Sequence, residues 1–345
     1  MKRLLTLCMA LTMVFTLSAC GGGGNEEVSV EDFKPITLKF STMNPSEHFS
    51  IDAVYRIKDA IEAGTDGKIT VDVYPGGQLG NYETVIDEVM RGTIDIAFQS
   101  AIDKYDARVA AHGLPYLCTS YDDLAIVYGK DGYLLKVFDE AYADMDVKFL
   151  GVYTEGFQGI GATSEIKNAA DANAKKAFTV RCPNINCITE TFSGMGFNVS
   201  TLPYSETLSG IQTGVVDGWV GGTPNVNYLS FRDVIDYYYL YMPYVEATHF
   251  IMNKSTFESL PAEYQKVVED AFTAECEESF ITARQMDEES LQLLEEAGIK
   301  AITFSEEELK TIASVVRTPV LDNARKLMGD EFIDGLQAFL EENGI

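Results

Sequence analysis

The chain carries little of what covalent or metal chemistry requires. Of its 345 residues only six are cysteine and three histidine. No Cys-x-x-Cys pair occurs, and His48, His112 and His249 lie far apart in sequence, so a zinc site is unsupported and no metal or other cofactor is expected. The Gly-x-Ser-x-Gly elbow, His-Glu-x-x-His and the phosphate loop are all missing, which removes the common signatures of secreted hydrolases and nucleotide enzymes. Positive charge is scarce as well: 26 Lys and Arg stand against 53 Asp and Glu, for a formal net charge of −27. Without a basic patch, such a body binds neither nucleic acid nor an anionic lipid surface. Its acids concentrate between Glu258 and Glu308, where Glu275-Cys276-Glu277-Glu278 and Asp287-Glu288-Glu289 read as solvated helix faces. Past Leu17 no apolar run is long enough to cross a membrane.

What is present begins with a secretion signal. Lys2 and Arg3 precede an apolar run from Leu4 to Leu17 that is too short to remain as a span. The run ends in Leu17-Ser18-Ala19-Cys20, which resembles the bacterial lipobox, and four glycines with Asn25-Glu26-Glu27 follow as a tether. Residues 1–19 are thus expected to be removed, and residues 20–35 to form a lipidated Cys20 and a flexible linker. The protein would then sit outside the cytoplasm, held to the outer face of the cytoplasmic membrane by lipid alone. The competing reading is an ordinary secretory cleavage site with an incidental cysteine. Of the later cysteines, Cys182 and Cys187 leave open a disulfide. Free thiols packed as small apolar groups fit better, because Cys187 falls inside a predicted helix.

The rest, roughly 310 residues, suffices for two compact lobes. Ile36 to Phe40 alternates as a half-buried strand, and Ile51, Val54, Tyr55, Lys58 and Ile61 follow at helical spacing. A strand at Ile69 to Val73, a helix through Val85 to Met90 and a strand at Ile94 to Phe98 complete a βαβαβ unit, which argues for a parallel-rich sheet. The rhythm repeats with strands at Val147 to Tyr153 and Phe178 to Arg181, a helix from Asn184 to Gly194, a strand at Phe197 to Leu202, and a short helix capped by Ser205. Val215-Val216 then runs into Asp217-Gly218-Trp219. Pro261 and Gly298 bracket a helical pattern of more than about 50 Å, which must cross both lobes or break near its middle. Ile299 to Phe304 returns as a strand, and Ser305 with Glu308 forms a capping box for the terminal helices.

Arg181 is the residue on which function turns. A permanently charged guanidinium at a strand end, opening into a helix, is suited to receive a carboxylate. The alternative is an ordinary pair with an acid on the lobe surface. Asn44, Phe98 and Trp219 also fall at or just past predicted strand ends, where open α/β sheets face their ligand crevice. Trp219 is the sole tryptophan. Flanked by Gly218 and Gly221-Gly222, it reads as a pocket wall, whereas Phe98 and Tyr204 read at least as readily as core. Glu206, Asp217 and His249 can be imagined as a catalytic set, but no nucleophile motif accompanies them. Glu206 is better read as a helix-start acid and Asp217 as a turn residue.

From Lys68-Ile69-Thr70-Val71-Asp72-Val73-Tyr74-Pro75-Gly76-Gly77-Gln78-Leu79-Gly80 onward, the sequence resembles the substrate-binding proteins (DctP-like) of tripartite ATP-independent periplasmic (TRAP) transporters. The resemblance continues in order through Arg91-Gly92-Thr93-Ile94-Asp95, Gly113-Leu114-Pro115-Tyr116, Thr179-Val180-Arg181-Cys182-Pro183, Leu202-Pro203-Tyr204-Ser205-Glu206-Thr207 and Gln212-Thr213-Gly214-Val215-Val216-Asp217-Gly218. It implies a two-lobed α/β fold of the type II periplasmic-binding-protein class, with the ligand cleft between lobes and a long helix crossing both. Residues 36–157 with about 247–285 would form lobe I, and 158–246 with about 286–345 lobe II. The implied protein is no enzyme but a receptor that closes on a small organic acid and delivers it to small and large membrane subunits.

By the same resemblance Arg181 binds the carboxylate, and Asn44, Phe98, Ser100, Asn184, Tyr204, Trp219, Gly221 and Gly222 line the cleft. Many members carry a second ligand-facing arginine where this chain has Gly161. That departure favours a monocarboxylate whose remainder is apolar, aromatic or hydroxylated. Gly218 and Val220 flank Trp219 where a metal-using branch places a carboxylate, so no metal is expected. A receptor for an ATP-driven importer or a sensor is the nearer alternative, and a secreted hydrolase the more distant one.

Overall fold

The structure, a computed structural model, describes residues 29–345; the expected secretion signal, lipidated Cys20 and glycine tether fall outside the described residues. Two mixed sheets carry the molecule. The first takes β1 (Ile36–Thr42), β2 (Ile69–Tyr74), β3 (Ile96–Gln99), β4 (Val147–Phe157) and β10 (Val245–Asn253) in the order β2-β1-β3-β10-β4. The second takes β5 (Gly159–Ala162), β6 (Thr179–Cys182), β7 (Asn198–Thr201), β8 (Gly218–Gly222), β9 (Tyr237–Leu240) and β11 (Lys300–Thr303) in the order β11-β9-β5-β8-β6-β7. The expected βαβαβ unit is there: β1 lies parallel to both β2 and β3. The sheets are less parallel than expected, because β10 runs antiparallel to β3 and β4, and β5 antiparallel to β8 and β9.

Helices cover these sheets where the sequence alternates at helical period. The helix α1 (Ser50–Gly64) buries Ile51, Val54, Ile57 and Ile61 on one face. The next, α2 (Tyr82–Arg91), starts where the Asn81 side chain accepts from the amides of Glu83 and Thr84, and ends at Gly92 with φ 75°. These are the cap and the left-handed stop that helix ends require. A 3-10 segment, Ala107–Gly113, leads to α3 (Leu124–Tyr128) and α4 (Tyr133–Asp144). In the second lobe α5 (Asn186–Gly194) and α6 (Tyr204–Gln212) flank β7. The first begins two residues later than expected, and the second starts behind Pro203, which places Ser205 inside the helix rather than at its cap. A short α7 (Pro224–Val226) and a π turn follow β8, and α8 (Lys254–Glu258) follows β10.

The long pattern is one unbroken helix, α9 (Ala262–Glu296), which packs on α1 and β4 at its start and on α7 and β11 toward its end. It therefore spans both lobes. Its approach to β4 is close because Gly151 and Gly156 have no side chain: a Cβ at Gly151 would stand 2.7 Å from Cys276 Sγ, and one at Gly156 would stand 2.2 Å from Asp287 Oδ1. Asp287, expected on a solvated face, is buried instead. It accepts from the Phe157 amide at 2.8 Å and the Tyr121 hydroxyl at 2.7 Å, beside the passage from β4 into β5. Glu275 is likewise turned inward and pairs with Arg56.

The capping box at Ser305 and Glu308 opens α10 (Glu306–Met328), with both reciprocal bonds made. The helix α10 packs on α5, whereas α11 (Asp330–Glu342) packs on α4, where the Tyr133 ring stacks between Phe332 and Phe339. The terminal helices thus lean on both lobes rather than on the second alone. Cys118, Cys182, Cys187 and Cys276 are free and buried.

Candidate ligand-binding site

Strand ends from both sheets converge on a cavity of about 90 Å³. From the first sheet come Asn44 after β1, Phe98, Gln99 and Ser100 at the end of β3, Glu155 on β4, and Glu246 and Thr248 on β10. From the second come Arg181, Pro183, Tyr204 and Gly221, and Tyr82 looks in from the start of α2. Strand C-termini face the crevice as open α/β sheets dictate.

Arg181 is 2 % exposed. Its Nε donates to the Leu202 carbonyl at 2.9 Å and its Nη1 to the Val220 carbonyl at 3.2 Å, which fixes the guanidinium plane. Nη2 is buried without a partner. No carboxylate lies within ion-pair distance of it among the described residues, so the lobe-surface pair is not what the side chain makes. The positive φ of Gly221, 123°, brings the backbone close, and a Cβ there would stand 3.3 Å from Nη1. The hydroxyls of Tyr82 and Tyr204 lie near the guanidinium.

The expected residues divide. Asn44, Phe98, Ser100, Arg181, Tyr204 and Gly221 line the cavity. Asn184 does not; it is exposed in the bend ahead of α5. Trp219 is fully buried one layer behind, donating from Nε1 to Asn227 Oδ1 at 3.0 Å and lying 4.1 Å from the Phe231 ring, so it backs Tyr204 rather than forming the wall. Gly222 sits over its ring, where a Cβ would come within 2.4 Å, and also stays off the cavity. Gly161 pairs with Trp219 across β5 and β8. A Cβ there would meet Asn227 Oδ1 at 2.4 Å and Trp219 Nε1 at 2.8 Å, so an arginine at this position has no room.

Sequence reasoning passed over the two acids. Glu155 is buried and accepts from Asn44 Nδ2 at 2.6 Å; Glu246 accepts from Ser100 Oγ at 2.6 Å and from Gln158 Nε2. They meet at a β-bulge. The register slips from Val245↔Phe157 to Ala247↔Thr154, so Glu246 stands opposite Glu155 and Gly156 together. Burial, and then the neighbouring Glu246 charge, push the Glu155 carboxyl up to about 8, and burial pushes Glu246 up as well. His48, 3.9 Å from Glu155, is held neutral by burial with its pKa lowered to about 3. The available signal was a single acid inside each of two stretches that carry no other charged side chain, Val152 to Phe157 and Val245 to Met252.

With one fixed cation, two acids and aromatic walls, the site can hold a small polar ion; it presents no nucleophile activated by a base. Comparison with known proteins agrees. The ectoine-binding periplasmic protein TeaA of Halomonas elongata is 24% identical over 293 residues, spanning 79% of this chain and 81% of the relative. The C4-dicarboxylate-binding periplasmic protein DctP of Rhodobacter capsulatus is 23% identical over 319 residues, spanning 90% and 92%. Among solved structures, the sugar acid binding protein DctPAm of Advenella mimigardefordensis, in complex with galactonate, superposes with a TM-score of 0.80 at 22% identity, covering 90% of this chain and 99% of that one. Residues 40–326 match the profile of the bacterial extracellular solute-binding proteins, family 7 (DctP), and the chain belongs to that family of receptors.

Proposed function

We propose that the protein captures a small organic acid with one carboxylate between its lobes and delivers it to the small and large membrane subunits of a TRAP permease, held at the membrane by lipid on Cys20. The observation that carries this reading is Arg181: a buried guanidinium, oriented by two backbone carbonyls, whose remaining Nη2 has no partner. A buried charge without a counter-ion is costly, and a carboxylate offering paired charge-assisted bonds relieves that cost. Asn44 and Ser100 add polar contacts, and Tyr204, supported by Trp219, packs on the remainder. The relatives' named ligands, ectoine, C4-dicarboxylates and galactonate, all carry a carboxylate.

A thermal-shift screen of organic acids supplies a ligand, and calorimetry on Arg181→Ala then tests the site. A bidentate contact in a closed cleft is worth roughly 2–4 kcal/mol, so affinity should fall about thirty- to a thousandfold. Arg181→Lys should recover little, because an ammonium lacks the planar fork. Unchanged affinity in a folded Arg181→Ala protein overturns the reading. The anchor is tested separately by detergent phase partitioning, where the wild type should enter the detergent phase and Cys20→Ala should stay aqueous.

A further inference from the structure

We propose that the ligand is a zwitterion, whose protonated nitrogen is received by the pair Glu155 and Glu246 while Arg181 holds its carboxylate. The inference rests on the reading of Arg181 given above and concerns the other end of the same cavity. Arg181 belongs to β6 in the second sheet, and the two acids belong to β4 and β10 in the first. Every polar contact that Glu155 and Glu246 make within the protein is with a neutral donor: Asn44 and Ser50 for one, Ser100 and Gln158 for the other, with Thr248 beside both. No lysine or arginine pairs with either among the described residues, and no acid pairs with Arg181. The cavity therefore has a fixed cation without an anionic partner on one side and a titratable acid pair without a cationic partner on the other. Burying such groups unpaired is expensive, and an apolar or hydroxylated remainder would leave the acidic side uncompensated. A ligand with a carboxylate at one end and an ammonium, iminium-type or amidinium nitrogen at the other satisfies both.

Protonation follows from the same geometry. The titratable groups facing the pair are His48 ahead of α1, Tyr82 on α2, Tyr128 on α3, Tyr153 on β4, Tyr204 on α6 and Tyr244 just ahead of β10. Burial keeps the tyrosines protonated and His48 unprotonated near neutrality. The proton that moves is thus on the acid pair, with Glu155 held at about 8 in the empty site. An incoming cation lowers that value, so binding releases a proton and strengthens as pH rises toward 8.

The test uses matched carboxylic acids that differ only in nitrogen or oxygen: L-proline against (S)-tetrahydrofuran-2-carboxylate, and γ-aminobutyrate against γ-hydroxybutyrate, within a panel of amino, imino, amidine and sugar acids. The cationic member of a pair should bind at least about tenfold tighter. Calorimetry in buffers of different ionisation enthalpy should record proton release for that member alone. Glu155→Gln and Glu246→Gln should lose most of that margin, with circular dichroism and a cooperative thermal transition reporting that they fold; folded variants that keep the full margin overturn the proposal. A panel in which only acids with uncharged remainders bind, or in which no nitrogen-bearing acid binds, overturns the proposal. A cationic carboxamide binding as tightly as its parent acid would instead overturn the Arg181 reading.

Discussion

At the residue scale, the buried acids make the stability of the empty protein depend on pH in a defined sense. Burial holds Glu155 at about 8 against an ordinary 4.5, and Asp287 at about 7 against 3.8. For an acid raised in this way the folded chain keeps a proton that the unfolded chain has released, so stability is lost as pH climbs from the unfolded toward the folded value. His48 and His112, lowered to about 3 and about 4, work in the opposite sense, but only below their ordinary 6.5. From pH 7 to 8 urea unfolding should show stability falling by up to about 1 kcal/mol per pH unit from Glu155, with the four buried thiols, pushed up by burial, adding in the same sense as the unfolded chain's cysteines begin to ionise. Glu155→Gln should flatten that slope; an unchanged slope would assign it elsewhere. Arg181 was legible in the sequence because a fixed charge closing an apolar strand has few explanations. The acids were not, because a carboxylate in a strand reads as its solvent face until the partner strand is known. Trp219 misled for the converse reason: neighbouring glycines admit a close approach, and here the group that approaches is the indole itself.

At the scale of elements, what could be read was what local chemistry dictates. The Ser305 and Glu308 box, the strand before Pro75 and the long helix between Pro261 and Gly298 all stand where the pattern put them. Two kinds of element escaped. Between Phe98 and Val147 the chain forms short helical pieces, Ala107–Gly113, α3 and α4, whose apolar residues are buried on several sides and so show no single period. The strands β9 and β10 escaped because neither alternates at period two: Tyr237-Tyr238-Tyr239-Leu240 is unbroken, and Val245 to Asn253 carries Glu246, Thr248 and His249 in a strand that is buried along nearly its whole length. Missing β10 also concealed the bulge, and with it the acidic side of the cleft. The burial of Asp287 was hidden too, since it follows from a glycine on another element, Gly156, which opens room for a carboxylate against the strand.

At the scale of the whole molecule, the lobes meet across the cleft where α5 leans on Ala107–Gly113. Gly113 is the tightest point of this contact: a Cβ there would stand 2.8 Å from Ile188 Cγ1 and 3.1 Å from Cys187 Sγ. Gly113→Ala should therefore oppose closure without touching the cavity's charged groups. Overpacking of this kind costs about 1–3 kcal/mol, so affinity for a screened ligand should fall roughly five- to a hundredfold. Small-angle scattering should find less compaction on ligand addition than in the wild type, because the ligand shifts a population whose closed member has become less favourable. Wild-type compaction at wild-type affinity would remove Gly113 from the closing contact. The arrangement of the chain also decides where motion can be observed. The described chain enters through β1 and leaves through α11 on α4, so both of its ends ride on the lobe built around the first sheet. A pair of fluorophores placed before β1 and on α11 would travel together and report nothing. One of them moved to the exposed turn at Gly214, at the far end of α6, would turn the same protein into an optical gauge of its own occupancy.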